Sequence, residues 1–249
     1  MSGARSFADY AAALDFRYIQ PETPLHPATH SAMLMVLDEL GVCFEISNTV
    51  LPEDDERTRA RLGGLCRIPR MSTFAVGALI NRAVAGMPPD RVFVNVGVWH
   101  GFTLLAGMAG NPDRVCIGVD NFSEFGGPRE AFLARFHALR SPRHRFYDLD
   151  YRDYFAHVHS EPIGVYLYDG DHAYQHQLEG LRLAEPYFAP GTRVFIDDTN
   201  ADDPRRATLD FVAGSRWAWR MIFDRRTAQN GHPTLWNGLM ILECLGPRP

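Results

Sequence analysis

Short apolar runs recur through the middle of the chain, with segments of helical periodicity between them. The runs are rich in β-branched and aromatic residues, as strands are. They occupy residues 91–96, 114–119, 144–149, 163–168 and 193–198. Residues 128–140 and 174–188, which lie between runs, place apolar side chains three and four positions apart. Nearly continuous apolar strands joined by helices predict a parallel sheet covered on both faces, which is a doubly wound α/β fold.

The C-terminal part of the chain breaks this alternation. Two strand-like runs, residues 217–223 and 238–244, are separated by a polar loop without helical periodicity. Because no crossover helix joins them, we expect the two runs to pair antiparallel at an edge of the sheet.

The N-terminal part differs again. The pattern predicts a helix over residues 30–42, ended by Gly41, and a mixed-charge helix with a solvated face over residues 52–64. We therefore divide the chain into residues 1–70, a helical cap or oligomerisation segment, and residues 71–249, the α/β domain.

Composition excludes several classes of function. No apolar run approaches the roughly 18 residues that cross a bilayer, and the N-terminus has no basic-then-apolar signal pattern, so we expect a soluble, cytoplasmic protein with no membrane partner. The formal net charge of −5, without a basic block, argues against nucleic acid as a partner.

Four cysteines without CxxC spacing predict buried, reduced thiols. All 25 basic residues are arginine, which excludes Schiff-base chemistry and a P-loop lysine.

Candidate ligand-binding residues follow the first three strands. Gly97 and Gly101 precede a helix expected to begin near Thr103, where glycines allow the backbone to approach a ligand. The spacing is not GxGxxG, which disfavours a dinucleotide. Asp120, about twenty residues later, can accept both hydroxyls of a ribose. Asp150 can accept from an adenine amino group or cap the next helix; together the three elements fit an adenosine-shaped site.

Four stretches carry a resemblance to a known family: FVNVGVWHGFTLLAG, GVDNFSEF, YLYDGDHAY and VFIDDT. They resemble the class I S-adenosylmethionine-dependent methyltransferases, and specifically the macrocin and mycinamicin type of sugar O-methyltransferase. The resemblance covers roughly residues 70–245. It implies a Rossmann-like, seven-stranded, mostly parallel sheet with a C-terminal antiparallel hairpin, S-adenosylmethionine as cofactor, and a small-molecule hydroxyl acceptor. We also expect a homo-oligomer.

The resemblance also implies roles for particular residues. A magnesium ion is expected on the residues matching Asp169, Asp197 and Asp198, and a general base at His172 or Asp171. One position departs from the family pattern, because Asn95 stands where an acidic residue is usual. Asparagine still offers hydrogen bonds to the cofactor but no charge.

The paired acids also have a physical reason to bind a cation. If the strands that end at residues 168 and 196 are neighbours, their terminal carboxylates converge on a small volume. Like charges so close raise each other's pKa unless a cation lies among them, and ligand sets made only of oxygen favour Mg²⁺ or Ca²⁺. A bound divalent ion would also help to ionise a substrate hydroxyl, whose proton His172 or Asp171 could take.

Two other functions fit parts of the pattern. Asp169 and Asp171 form a DxD sequence, which can bridge Mn²⁺ to a nucleotide sugar in a glycosyltransferase. Asn95 is compatible with a catalytically silent protein that only binds S-adenosylmethionine. We expect Trp99 to be a core aromatic, with packing beside the cofactor as the alternative, and most of the other histidines to be surface residues or helix caps. Substrate choice is assigned to the N-terminal segment and to residues 121–128 and 227–236.

Overall fold

The computed structural model describes residues 5–26, 44–52 and 56–248. Its main feature is a seven-stranded sheet of order β5-β4-β3-β6-β7-β9-β8. These strands are β3 (Val92–Val96), β4 (Val115–Val119), β5 (His144–Tyr147), β6 (Ile163–Tyr168), β7 (Phe188–Ile196), β8 (Trp217–Arg225) and β9 (Leu239–Pro247). A separate two-stranded sheet pairs β1 (Asp15–Phe16) with β2 (Thr49–Val50).

Helices connect and cover the strands. In chain order they are α1 (Phe7–Ala12), α2 (Phe44–Asn48), α3 (Glu56–Gly63), α4 (Phe74–Ala85), α5 (Phe102–Met108), α6 (Arg129–Leu139), α7 (Tyr151–His157), α8 (Tyr174–Ala184) and α9 (Asp202–Gly214). Two single-turn 3₁₀ helices lie at Leu65–Arg67 and Glu185–Tyr187.

The predicted doubly wound fold is confirmed. Neighbouring strands from β5 to β7 are all parallel, and every residue of β3, β4 and β6 is buried, as expected for strands with helices on both faces. The chain winds outward from β3 through β4 to β5 and then returns to β6 on the other side of β3. This reversal makes the carboxyl ends of β3 and β6 the place where such a fold binds ligands.

The antiparallel C-terminal pair is also confirmed. Strand β9 lies between β7 and β8 and pairs antiparallel with both, which leaves β8 at the edge of the sheet. Strand β7 begins at Phe188, five residues before the predicted strand, because Phe188 pairs with Ile163 ahead of a register shift. The helix predicted over residues 174–188 correspondingly ends at Ala184.

The N-terminal residues that the structure describes pack into the main core. Phe7, Tyr10, Leu14 and Leu62 are buried in the same apolar cluster as α4 and α5. The predicted helix over residues 30–42 lies outside the described residues. Within the predicted 52–64 helix, α3 is present, and Arg59 donates hydrogen bonds to two main-chain carbonyl groups instead of lying on a purely solvated face.

Two expectations from composition can be compared with the structure. Cys66, Cys116 and Cys244 are free and buried, as predicted, whereas Cys43 lies outside the described residues. Within the part of the chain that is described, no helix combines the length and apolar character needed to cross a membrane.

Candidate active site

A cavity of about 280 Å³ opens at the carboxyl ends of β3, β4, β6 and β7. Its wall brings together residues far apart in sequence, including residues 69–72, the loop over residues 119–125 and the turn at residues 236–237. Of the predicted site residues, it is lined by Gly97, Thr103, Asp120, Asp150, Asp169, Asp171, His172, Asp197 and Asp198. The switch point of the sheet is therefore also where most of the candidate chemistry collects.

The turn between β3 and α5 forms one wall of the cavity. Gly97 adopts a φ of 75°, in the left-handed region where glycine carries little steric cost. A Cβ atom at this position would lie 1.8 Å from the carbonyl oxygen of Asp169. The backbone amide of Asp169 in turn donates to the carbonyl of Val96 at 2.8 Å. The glycine thus lets this turn lie directly against the end of β6.

Asn95 and Gly101, both expected to bind the cofactor, do not line the cavity. The Asn95 side chain is fully buried; its Oδ1 accepts from the Thr103 hydroxyl at 2.8 Å and its Nδ2 donates to the Gly97 carbonyl at 2.8 Å. Gly101 precedes α5 with a φ of 100°, and a Cβ there would meet the Phe132 ring at 2.8 Å. Both residues shape the turn from inside the protein.

Asp120 joins two loops around the cavity. Its Oδ2 accepts from the backbone amides of Val98 and Trp99 at 2.7 and 2.9 Å, and its Oδ1 accepts from the amide of Phe122 at 2.7 Å. The Trp99 indole donates to the carbonyl of Phe125 at 3.0 Å and lines the cavity, so it is not the core aromatic that we expected. Asp120 therefore fixes the shape of this wall as well as facing the cavity.

Asp150 caps helix α7, one of the two roles that its sequence position allowed. Its Oδ1 accepts from the backbone amide of Arg152 at 2.9 Å. Its Oδ2 is 3.4 Å from Nδ2 of the Asn121 side chain. The cap does not remove Asp150 from the cavity wall, where its second oxygen can still accept a hydrogen bond.

The acids at the ends of β6 and β7 gather around His172. The Nε2 atom of His172 lies 3.6 Å from Asp169 Oδ1 and 3.8 Å from Asp198 Oδ2. Asp197 is 5% exposed, and its Oδ1 has no hydrogen-bond partner among the described residues. The side-chain amide of Asn237 donates to Asp198 Oδ1 at 2.7 Å. The two strand ends therefore deliver their carboxylates to one small volume.

The electrostatics of this cluster favour keeping protons or another cation inside it. Burial raises the pKa of Asp169 and raises that of Asp197 well above its ordinary value, and the neighbouring carboxylates add to both shifts. Burial alone would lower the pKa of His172, but the adjacent Asp169 carboxylate and the charges of Asp198 and Asp197 raise it to about 9. In the absence of another cation, the His172 imidazolium balances the carboxylates.

Asp171 points to a different partner. Its Oδ1 accepts from the backbone amide of Ala173 at 2.8 Å, and its Oδ2 lies 2.6 Å from His176 Nδ1. The hydrogen bond from Ala173, together with His176, lowers the pKa of the Asp171 carboxyl. Asp169 and Asp171 thus have separate partners, although their sequence spacing is that of a DxD motif.

The chemistry of the donors fits a magnesium ion. Asp169, Asp197 and Asp198 offer only oxygen atoms, one of them buried and unpartnered among the described residues, beside a cavity. These side chains are nevertheless drawn toward His172, and no group of three or more His, Cys, Asp or Glu side chains within residues 5–26, 44–52 and 56–248 is arranged to hold a metal. Binding would require these side chains to turn from His172 toward a shared ion.

Known proteins resemble this chain in sequence over part of its length and in fold over most of it. Residues 94–199, which run from β3 through the acid pair after β7, match a family described as a methyltransferase domain. The chain has the fold of a class I S-adenosylmethionine-dependent methyltransferase. A search of curated protein sequences found no match.

Solved structures share this methyltransferase fold along most of the chain. The cofactor-bound protein Rv0187 from MTB has a TM-score of 0.57 at 14% identity, covering 90% of this chain and 100% of that one. CalS11, described as a TDP-rhamnose 3'-O-methyltransferase of calicheamicin biosynthesis, has a TM-score of 0.53 at 18% identity, covering 89% and 97%. A protein from Corynebacterium glutamicum gives 0.50 at 15%, covering 91% and 94%.

Sequence reasoning missed two residues of this site. Asn237 lies in a polar loop, and no local pattern signals its hydrogen bond to Asp198. His176 was grouped with the surface histidines, although it stands five residues after Asp171, at the start of a helix. That spacing was the available signal, because the first turn of a helix can return a side chain to the loop that precedes it.

Proposed function

We propose that this protein transfers a methyl group from S-adenosylmethionine to a hydroxyl of a small molecule, with Mg²⁺ bound by Asp169, Asp197 and Asp198. We further propose that the acceptor is a sugar or a glycosylated natural product, as in the macrocin and mycinamicin type of enzyme that the sequence resembles.

One observation carries the proposal. Asp169 and Asp198, from the ends of two neighbouring strands, both lie within 4 Å of one ring nitrogen, in the cavity that the glycine turn and Asp120 also line. In the proposed reaction, the charged methyl donor would thus lie beside the groups that help to deprotonate the alcohol. Such a pairing suits O-methylation, in which the hydroxyl must lose a proton as the new bond forms.

The residues divide the work of the reaction. Asp120 would accept hydrogen bonds from the cofactor's ribose, and the backbone at Gly97 would lie close to the cofactor. Asp169, Asp197 and Asp198 would hold the magnesium ion, which when bound acts as a Lewis acid that makes a hydroxyl more acidic. Residues 69–72 and 236–237 close the remaining sides and would contact the acceptor.

The sugar part of the proposal has weaker support. It comes from the sequence resemblance and from the shared fold with CalS11, whose description names TDP-rhamnose. Because identity is only 18%, the likeness shows a common fold and leaves the acceptor to be tested.

Purified protein, S-adenosylmethionine and Mg²⁺ would be incubated with methyl α-L-rhamnoside or TDP-rhamnose, and release of S-adenosylhomocysteine would be measured. We expect turnover of at least one acceptor and its loss on addition of EDTA. Asp197→Asn and Asp198→Asn should abolish turnover and leave cofactor affinity within about threefold. Full activity in excess chelator would contradict the magnesium role. Cofactor binding without turnover of either acceptor would favour the catalytically silent alternative.

A further inference from the structure

Two histidines at the cavity wall are held in different ways. His172 turns Nε2 toward the carboxylates of Asp169 and Asp198, and its Nδ1 is buried without a hydrogen-bond partner among the described residues. Both ring nitrogens of His172 are therefore directed at the protein. His176, one turn further along the chain on α8, also lines the cavity but is not part of the acid cluster.

Asp171 orients the His176 ring through a short contact. The 2.6 Å separation between Asp171 Oδ2 and His176 Nδ1 is that of a charge-assisted hydrogen bond. The carboxylate is itself fixed, because its Oδ1 accepts from the Ala173 amide and the Asp171 carbonyl accepts from the Tyr168 hydroxyl at 3.2 Å. A carboxylate that holds Nδ1–H leaves Nε2 as an unprotonated acceptor, as in hydrolase dyads and triads.

Two carboxylates lie near His176. Glu179, on the next turn of α8, accepts from the Tyr151 hydroxyl at 2.9 Å, lies 2.7 Å from the Arg152 guanidinium and also interacts with His176 electrostatically. The carboxylate in hydrogen-bond contact with the imidazole is that of Asp171, at 2.6 Å. The His176 side chain is 41% exposed and lines the cavity.

We propose that His176, oriented by Asp171, is the general base that accepts the proton of the acceptor hydroxyl. This inference rests on the proposed function. The O–H bond breaks with its proton going to His176 Nε2, while oxygen uses the released pair to bond the methyl carbon. The methyl–sulfur bond breaks with its electron pair going to sulfur, which gives S-adenosylhomocysteine. Asp171 is a positioning residue, and His172 serves the acid cluster.

The kinetic test compares His176→Gln with His157→Gln, in which an exposed helical histidine outside the cavity wall is changed in the same way. With the rhamnoside acceptor that the wild type methylates, we expect His176→Gln to lower kcat by about 100-fold or more and to leave KM within about threefold. The control should keep wild-type kcat. For His176→Ala, added imidazole should restore part of kcat, which a purely structural role would not allow.

A second readout needs no turnover. In ¹⁵N-histidine-labelled protein saturated with S-adenosylhomocysteine and Mg²⁺, two-bond ¹H–¹⁵N spectra report which ring nitrogen carries the proton. We expect the Nδ1–H tautomer for His176 and its loss in Asp171→Asn, whose side chain can still cap Ala173. An Nε2–H tautomer in the wild type would overturn the proposal.

Other outcomes separate this proposal from the proposed function. Wild-type kcat in His176→Gln, together with loss of activity in His172→Gln, would assign the base to His172 and overturn the inference. If the wild type methylates neither acceptor, the proposed function fails for these sugars, and the tautomer of His176 still decides whether the dyad exists.

Discussion

At the residue scale, Asp120 has a structural role beside the binding role that we propose for it. Its two oxygens accept three backbone amide hydrogens, from Val98, Trp99 and Phe122, and so tie the turn after β3 to the loop after β4. Each of these amides would lose its partner if the carboxylate were removed. A ribose bound at Asp120 would therefore meet a wall whose shape the same residue maintains.

We expect Asp120→Ala to weaken binding of S-adenosylhomocysteine by at least about tenfold, because a charged hydrogen-bond acceptor is typically worth 1.5–3 kcal/mol. Calorimetric titration would measure the change. Asp113→Ala, at an exposed aspartate in the turn that precedes β4, is the matched control and should bind normally. Unchanged affinity in Asp120→Ala would reject the ribose role.

His159, just after the end of helix α7, couples stability to pH. It is buried beside Tyr154, whose hydroxyl lies 2.7 Å from His159 Nδ1, and burial lowers its pKa to about 4. In the unfolded chain its pKa would be near the ordinary value of about 6.5. Between these two pH values His159 is protonated in the unfolded chain and neutral in the folded protein. The free energy of unfolding therefore falls as pH falls from 6.5 toward 4.

Chemical denaturation at pH 7 and pH 5 would test this coupling. Each pH unit below 6.5 should cost the wild type about 1.4 kcal/mol from this one group. We therefore expect the loss between the two pH values to be smaller in His159→Gln by about 2 kcal/mol. Equal losses in the two proteins would show that His159 does not carry the effect.

At the element scale, the turn between β3 and α5 packs against the ends of the two strands beside β3, which are β4 and β6. Gly97 lies against the backbone at Asp169, and its amide also donates to the carbonyl of Val119 at 2.9 Å. One turn therefore contacts the ends of both strands beside β3. A change of backbone at this position would move the cavity wall after β3 and the end of β6 at Asp169 together.

We expect Gly97→Ala to destabilise the fold and to weaken binding of both S-adenosylhomocysteine and Mg²⁺. The added methyl group would clash with the Asp169 carbonyl and would also force alanine into the left-handed region, which costs about 1–2 kcal/mol. Gly126→Ala is the matched control, because Gly126 has a φ of 79° with nothing within 4 Å of its Cβ position. Similar losses of stability in the two variants would show that the close approach at Gly97 is unimportant.

At the scale of the whole molecule, the N-terminal segment and the sheet share one core. Helix α1 begins after Ser6, whose hydroxyl accepts from the backbone amide of Asp9, and it buries Phe7 and Tyr10. The Phe7 ring lies 6.1 Å from that of Phe195 on β7 and under the Arg193 guanidinium. We therefore expect the described N-terminal helices to unfold together with the sheet.

Phe7→Ala should lower the free energy of unfolding of the whole protein by about 3 kcal/mol, as buried phenylalanine truncations do. Denaturation followed by both tryptophan fluorescence and far-ultraviolet circular dichroism should give one shared transition. Tyr18→Ala removes an aromatic ring that is 65% exposed and should change stability by less than about 1 kcal/mol. A separate early transition, lost in Phe7→Ala, would mean that the N-terminal segment is an independent unit.

The sheet was the most predictable part of this molecule. Strands within runs such as residues 91–96 and 163–168 are buried on both faces, so they are apolar at almost every position whichever strand lies beside them. That continuous apolar pattern identifies them as strands. The start of β7 was less predictable, because its first residues pair with β6 across a register shift that depends on the partner strand. The role of Trp99 was harder still, since its indole bonds to the carbonyl of Phe125 in a separate loop. The role of Asn95 was also hidden, because the turn after β3 folds back so that Gly97 and Thr103 meet its side chain.

The sequence by itself determined the α/β order, the antiparallel end of the sheet and the placing of acids directly after two strands, because all three depend on local periodicity and on the identity of neighbouring residues. Tertiary structure alone decided which side chains meet: Asp169 and Asp198 around His172, and Asp171 with His176. The physical reason is that strand order, helix start and side-chain rotamer together set distances of a few ångströms, and hydrogen bonds and pKa shifts depend on those distances.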